Sequence, residues 1–209
     1  VRRQWLNGEG KIVLTFNATG HQYFWHGKPV PDHVTKVLGL VTDLSRIPTD
    51  VLENARQEGV DEHRMVNLHA TGDLDEDVLP AWLRPKLAGL RKFFADTEFR
   101  MIGSETAVYH RLYKYAGTLD LVGEMRYQRH KVRAIIDVKR SLYAGRAIGL
   151  QTAAYLEAWS DSNPNECRPT HRFALRLRDG DYRLEPYTQR DDFSLFLACL
   201  SVHRLKEQM

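Results

Sequence analysis

Cysteine is scarce in this chain: Cys167 and Cys199 are the only two among 209 residues. Two thiols cannot complete a four-thiolate iron–sulfur cluster, and their spacing is not that of a zinc site. A disulfide between them stays open on the sequence alone, but the usage fits a reducing cytoplasm. Long apolar runs are missing too. Nothing approaches membrane-spanning length and no signal peptide is visible, so no membrane partner is expected. A large charge excess is also absent, since 30 Lys and Arg against 27 Asp and Glu leave a net +3. That mild basicity permits a nucleic-acid partner without demonstrating one. No repeat, low-complexity segment or shift in composition divides the chain. A single domain over residues 1–209 with a sizeable core is expected. The sequence opens at Val1 rather than Met, so a few residues are expected to precede it.

What is present reads as alternating strands and helices. Lys11–Phe16 and His21–Trp25 form an expected hairpin around Asn17-Ala18-Thr19-Gly20, and His26–Pro29 turns again. Val34, Val37, Leu38 and Val41 follow helical spacing after Pro31-Asp32. Val51–Ala70 reads as a helix interrupted by Gly59, and Thr71–Asp77 as an acidic loop. After Pro80, Leu83, Leu87, Leu90 and Phe94 mark one apolar helix face, with Arg84, Lys86, Arg91 and Lys92 on the polar side. Ser104–Arg111 reads as a strand, Leu142–Gly145 as a loop and Ala147–Trp159 as a helix. Ser160–Pro169 is loop. His171–Arg178 and Tyr182–Tyr187 form a hairpin around Asp179-Gly180. Asp191-Asp192 opens a final helix that buries Phe193, Phe196, Leu197 and Leu200. Arg126, Arg129, Lys131 and Arg133, and then Arg168, Arg172, Arg176 and Arg178, read as two solvated basic strand edges.

The most informative stretch is Gly117–Gly123 followed by Ala134–Lys139. Both runs are rich in aliphatic and β-branched residues, so both read as strands, and the charged linker Arg126–Arg133 makes an antiparallel pair the simplest arrangement. In a strand, positions two apart share a face about 6.6 Å apart. Asp137 and Lys139 therefore face one way and Val138 the other, into the core. Buried charge is costly unless paired or bound to a metal. Asp120 lies in the middle of the neighbouring strand and can reach the same point. Two carboxylates and an ammonium together suit a divalent cation and a phosphate.

Three features combine here: the apolar strand ending in Asp137-Val138-Lys139, the upstream Gly117-x-x-Asp120, and Gln151-x-x-x-Tyr155 on one face of the next helix. Together they resemble the PD-(D/E)XK nuclease superfamily, and within it the RecB-like branch and its phage exonuclease relatives. The resemblance covers roughly residues 50 to 180 and is sharpest from Gly117 to Tyr155. It implies an α/β (mixed α+β) fold with a restriction-endonuclease-like α-β-β-β-α-β core. In that fold a central mixed sheet is flanked by helices, here with an N-terminal hairpin and extra helices.

The activity it implies is divalent-metal-dependent hydrolysis of DNA phosphodiester bonds. An exonuclease of phage or prophage recombination or repair type is expected, in a bacterial cytoplasm, with a single-strand annealing protein as a further partner. An endonuclease and a non-catalytic DNA-binding module on the same fold are the alternatives. Mg²⁺ or Mn²⁺ is the implied cofactor, because such cations prefer carboxylate, carbonyl and water oxygens. Asp120, Asp137 and the Val138 carbonyl would supply oxygens. Gly59-x-x-x-His63 resembles the helix motif that adds a histidine, which favours Mn²⁺ somewhat. His69 is the competing histidine and Glu62 a hard-oxygen alternative. Lys139 would orient water and stabilise charge on the phosphate. Glu105 would hold a metal-bound water or orient a basic residue, and Gln151 and Tyr155 would contact DNA or steady the catalytic groups. Arg140-Ser141 departs from the pattern, since relatives commonly place Thr or Ser directly after the lysine.

Overall fold

The computed structural model describes residues 2–6, 12–17, 20–42, 48–140 and 145–209. Strands β1 (Arg2–Leu6), β2 (Ile12–Asn17), β3 (Gln22–Trp25) and β4 (Lys28–Val30) form an antiparallel sheet in sequence order. The expected hairpin is thus the middle of a larger sheet, and the segment expected only as a turn at His26–Pro29 continues into β4. Lys11, Ala18 and Thr19 lie outside the described residues. A short helix α1 (Val34–Leu38) follows, then α2 (Thr49–Thr71), a 3₁₀ turn (Ala81–Leu83) and α3 (Arg84–Thr97).

The second sheet has the order β5-β6-β7-β8-β9, from β5 (Arg100–His110), β6 (Tyr115–Tyr127), β7 (His130–Val138), β8 (His171–Arg178) and β9 (Asp181–Pro186). Only the β7–β8 pair is parallel. Parallel neighbours need a crossover, and α4 (Gly145–Ser162) supplies it before α5 (Asp192–Glu207) closes the fold. The chain is therefore mixed α/β with a five-stranded mixed sheet.

Strand alternation divides the core. Ile135, Val122 and Val108 pack with α1, α4 and α5, including Tyr155, Trp159 and Phe196. Ile136, Val138 and Leu121 pack on the opposite side with Met65, Leu87, Leu90 and Phe93 of α2 and α3. A third cluster joins Leu14, Phe16 and Tyr23 of the first sheet to Ala107, Tyr109 and Ala116. On α3 the apolar face falls on Phe93 at 0% exposure rather than on Phe94, which is only partly buried.

Several expectations need correction. Arg126–Arg133 is not a linker: β6 and β7 run through it and turn at Gln128 and Arg129, both with positive φ. Helix α2 passes Gly59 without interruption. The basic edges are solvated only in part: Arg126, Lys131 and Arg168 are exposed, whereas Arg133, Arg172 and Arg176 are largely buried. Arg133 and Lys131 pair with Glu124, Arg126 with Glu98, and Arg168 with Glu157. Arg172 and Arg176 turn inward, onto Asp192 and Glu185. On α3, Lys86 pairs with Asp179, Arg91 with Glu76 and Lys92 with Asp96. Both cysteines are free thiols. Residues 141–144, where most of the expected Leu142–Gly145 loop falls, lie outside the described residues. No described helix is long and apolar enough to cross a membrane.

Candidate metal centre

The register of the central sheet explains how the charged residues meet. Leu121 pairs with Ile136 across β6 and β7. One step further along that register, Asp120 comes opposite Asp137. The Val138 N–H donates to Asp120 Oδ2 at 2.6 Å, which fixes that carboxylate against β7. The N–H and C=O of one strand residue point to the same side, so the Val138 carbonyl is turned toward Asp120 as well. Lys139 Nζ lies 2.8 Å from Asp137 Oδ2.

Two elements complete the cluster. His63 reaches in from α2, with Nδ1 3.2 Å from Asp120 Oδ1 and 4.0 Å from Glu105 Oε1. One ligand atom each from His63, Glu105 and Asp120 lies within 4.8 Å of the others. On β5, Ser104 pairs with Leu121 and Thr106 with Leu119, which leaves Glu105 opposite Asp120. Glu105 holds φ +46 inside the strand. A left-handed conformation at a non-glycine residue costs on the order of 1–3 kcal/mol, and such strain concentrates at functional sites. Nothing in the sequence signalled this kink. Helix α2 is tied to the same strand by Ser104 Oγ donating to Asn67 Oδ1 at 2.7 Å.

The electrostatics follow from burial and crowding. Burial works against a charged His63, yet the Asp120 carboxylate beside it prevails and its pKa rises to about 9. Asp120 is itself buried, but His63, Lys139 and the Val138 N–H hold its pKa below the ordinary value. Asp137 is pushed up to about 6, chiefly by burial, with Lys139 pulling it down and Asp120 pushing it up. Burial disfavours the Lys139 ammonium, but Asp137 and Asp120 outweigh that and its pKa rises. The cluster thus keeps carboxylates charged by surrounding them with protons on nitrogen. An imidazole nitrogen and carboxylate oxygens converging on one point form a donor set that a divalent cation fits.

The other expected residues stand at different distances from this point. Tyr155 is 3% exposed and accepts from Gln151 Nε2 at 3.1 Å. A Cβ on Gly117 would meet its ring at 2.6 Å, so Tyr155 packs directly on the β6 backbone and Gly117 is required for that approach. Tyr155 thus braces the strand of Asp120 within range of the Asp137 and Asp120 charges, and Gln151 holds its phenol. His69 is apart from the cluster: its ring is edge-on to Phe94 at 5.2 Å, near Arg91 and Glu76. Glu62 is 1% exposed, and burial raises its pKa against the opposing charges of His63, Lys86 and Arg140, but it is not one of the converging ligand atoms. Among the described residues the converging group is His63, Glu105 and Asp120.

Two neighbours escaped the sequence reading. Arg176, 4% exposed, lies one step beyond the Val138–Leu175 pair, on the face of Lys139. His21 lines the same cleft as His63, Glu105 and Asp120. Neither carries a local signal, because each arrives from a strand or turn whose partner is distant in the chain. No protein-family model matches this chain, and none of the curated proteins compared with it is significantly similar in sequence.

Proposed function

We propose that this protein is a divalent-metal-dependent deoxyribonuclease of the PD-(D/E)XK type, acting as an exonuclease. The observation that carries this reading is the meeting of Asp120, Asp137 and Lys139 at the end of the β6–β7 pair, with His63 and Glu105 closing the cluster. The element order α3-β5-β6-β7-α4-β8 agrees with the α-β-β-β-α-β core that the motif implies. Asp120, Glu105, Asp137 and the Val138 carbonyl are the candidate ligands, together with His63, whose ring proton a bound cation would have to displace. Mg²⁺ or Mn²⁺ held there would activate water and offset charge developing on the phosphate.

The chain's own groups divide the remaining work. Lys139 stays protonated, so it acts as a fixed positive charge on the phosphate and the attacking water rather than as a base. Asp137 anchors that ammonium. Gln151 and Tyr155 hold β6 in place, and Tyr155 stays a neutral phenol because burial raises its pKa.

Digestion of end-labelled linear duplex and single strands, beside a covalently closed circle, tests the reading. Cleavage of linear DNA with Mg²⁺ or Mn²⁺, stopped by EDTA and sparing the circle, is the expected result. Lys139→Ala should abolish cleavage while DNA binding survives. Asp120→Ala and Asp137→Ala should also weaken Mn²⁺ binding in calorimetry. Full activity in Lys139→Ala would remove the lysine from the mechanism, and the absence of metal binding would favour an inert DNA-binding module.

A further inference from the structure

The carboxylate cluster opens into a cleft of about 650 Å³. That is within the roughly 300–1,000 Å³ that encloses small ligands, and is more than a hydrated ion and one phosphate need. Gly59, Val60 and Leu68 of α2 line it, as does His21. Val60 is 60% exposed, and a Cβ on Gly59 would meet nothing within 4 Å. The cleft therefore joins a charged end, suited to a phosphate, to carbon surface and an aromatic ring, which a phosphate does not need.

His21 is built in place. Its backbone holds φ +47 at the tip of the β2–β3 hairpin. Its ring packs on Phe16 at 5.1 Å, His33 at 4.8 Å and Tyr23 at 5.7 Å between centroids. Tyr23 in turn shares a 2.9 Å hydrogen bond with Thr118, two residues before Asp120. The aromatic cluster of the first sheet is thus pinned to the strand that carries the proposed metal ligand, while the His21 side chain remains exposed. Burial lowers its pKa, so at neutral pH the ring offers a π face rather than a cation. A neutral ring beside a phosphate site matches the flat face of a nucleobase. Arg64 lines the same cleft, is exposed, and forms no ion pair among the described residues. It is available to the next phosphate along the strand.

We propose that the His21 ring is a stacking seat for an unpaired nucleobase adjoining the phosphate held at the His63–Glu105–Asp120 cluster. The proposal rests on the nuclease reading above. The base must be unpaired because a ring can take the place of a stacking neighbour only at a strand end or on a base drawn out of the helix. The first sheet then contributes to substrate selection as well as covering the core.

A binding cycle tests this with the 209-residue chain carrying Lys139→Ala, which should bind without cutting. The probes are a fluorescein-labelled single-stranded oligonucleotide and the same strand with abasic terminal residues, read by anisotropy. Base–aromatic stacking implies that His21→Ala weakens binding of the base-bearing strand by roughly tenfold. His21→Phe should restore it. The abasic strand should already have lost that affinity, and His21→Ala should cost it nothing more, since both changes remove one contact. Equal losses on both probes, or no loss on either, overturn the stacking seat. If His21→Ala lowers the thermal midpoint, His21→Phe carries the test, and failure of Phe to restore binding counts against the proposal. A wild-type chain that neither cuts nor binds DNA overturns the nuclease reading, and this proposal with it. Normal cleavage with indifferent His21 variants overturns the stacking seat alone.

Discussion

At the scale of single residues, one buried and one half-buried group make opposite demands on the fold. Arg176 is 4% exposed, its Nη1 has no hydrogen-bond partner, and its ion partner is Glu185, 3.3 Å from Nε. A buried donor left unmade costs about 1–3 kcal/mol, which selection for stability alone would remove. Arg176→Met keeps the volume and discards the charge. Combined with Glu185→Met, so that neither charge is left without its partner, it is expected to raise stability by about 1 kcal/mol, a rise of ~2–4 °C in Tm for a chain of this size, while lowering DNA cleavage. Calorimetry and a cleavage assay on one preparation check both halves, and a drop in Tm would mark Arg176 as structural.

His33 is the second case. Its Nδ1 accepts from the Lys36 N–H at 3.3 Å, capping α1. A protonated ring nitrogen cannot accept. Burial first, then the charges of His21, Lys36 and His203, with Asp32 opposing them, lower the His33 pKa to about 4. Thr35 and Tyr23 also face the ring without contributing charge. The unfolded chain takes up this proton near the ordinary value of about 6.5 and the folded chain does not until about pH 4. Stability from His33 is therefore complete above pH 6.5 and falls as the pH drops toward 4. His33→Asn keeps a capping acceptor without a titrating group. Urea midpoints at pH 7 and pH 5 should draw together in that variant relative to wild type.

At the scale of elements, α2 combines a weak point with a proposed role in the site. It runs from Thr49 to Thr71 and carries Gly59 in its interior, where glycine costs about 1 kcal/mol relative to alanine. Open space faces that position, on the wall of the cleft. Gly59→Ala should therefore stabilise the protein by up to about 1 kcal/mol and weaken binding of DNA that approaches along the wall. Chemical denaturation and anisotropy measure the two effects separately. Unchanged DNA binding would mean that the substrate runs elsewhere. The β6–β7 pair behaves differently. Its central residues, Leu121, Val122, Ile135 and Ile136, are all 0% exposed, so the strand alternation that aims Asp120 and Asp137 is locked by packing on both faces.

At the scale of the whole molecule, the proposed metal site would couple the fold to a bound cation. Glu105 and Asp120, beside Asp137, are held together with His63 and Lys139 as the balancing cations. A ligand that binds the folded state alone stabilises it by mass action, about 2.7 kcal/mol at a hundredfold excess over Kd. Mn²⁺ should raise the Tm of the wild-type chain, EDTA should reverse the rise, and Asp120→Ala should abolish it. Equal shifts in wild type and Asp120→Ala would place the ion elsewhere. Lys86, Arg91 and Lys92 of α3, and Lys131 and Arg133 of β7, are paired with carboxylates. A mild net charge of +3 is thus dispersed over ion pairs, which leaves the cleft as the place where a strand would be held.

Much of this arrangement could be read from local pattern. Period-two alternation gave β7 its faces, and helical spacing placed α2, α3, α4 and α5 to within a few residues, because those patterns are set by which side of an element is buried. Gly117-x-x-Asp120, Asp137-x-Lys139 and Gln151-x-x-x-Tyr155 were visible for the same reason: each lies within one strand or one helical turn. Other features depend on contacts between segments far apart in the chain. These include the kink that turns Glu105 toward Asp120, the choice of His63 over His69 and Glu62, the burial of Arg172 and Arg176 behind acidic partners, and the arrival of His21 at the cleft. Local periodicity fixes the direction of a side chain relative to its own element, but its neighbours are chosen only when sheets and helices pack, and no short-range signal records that choice.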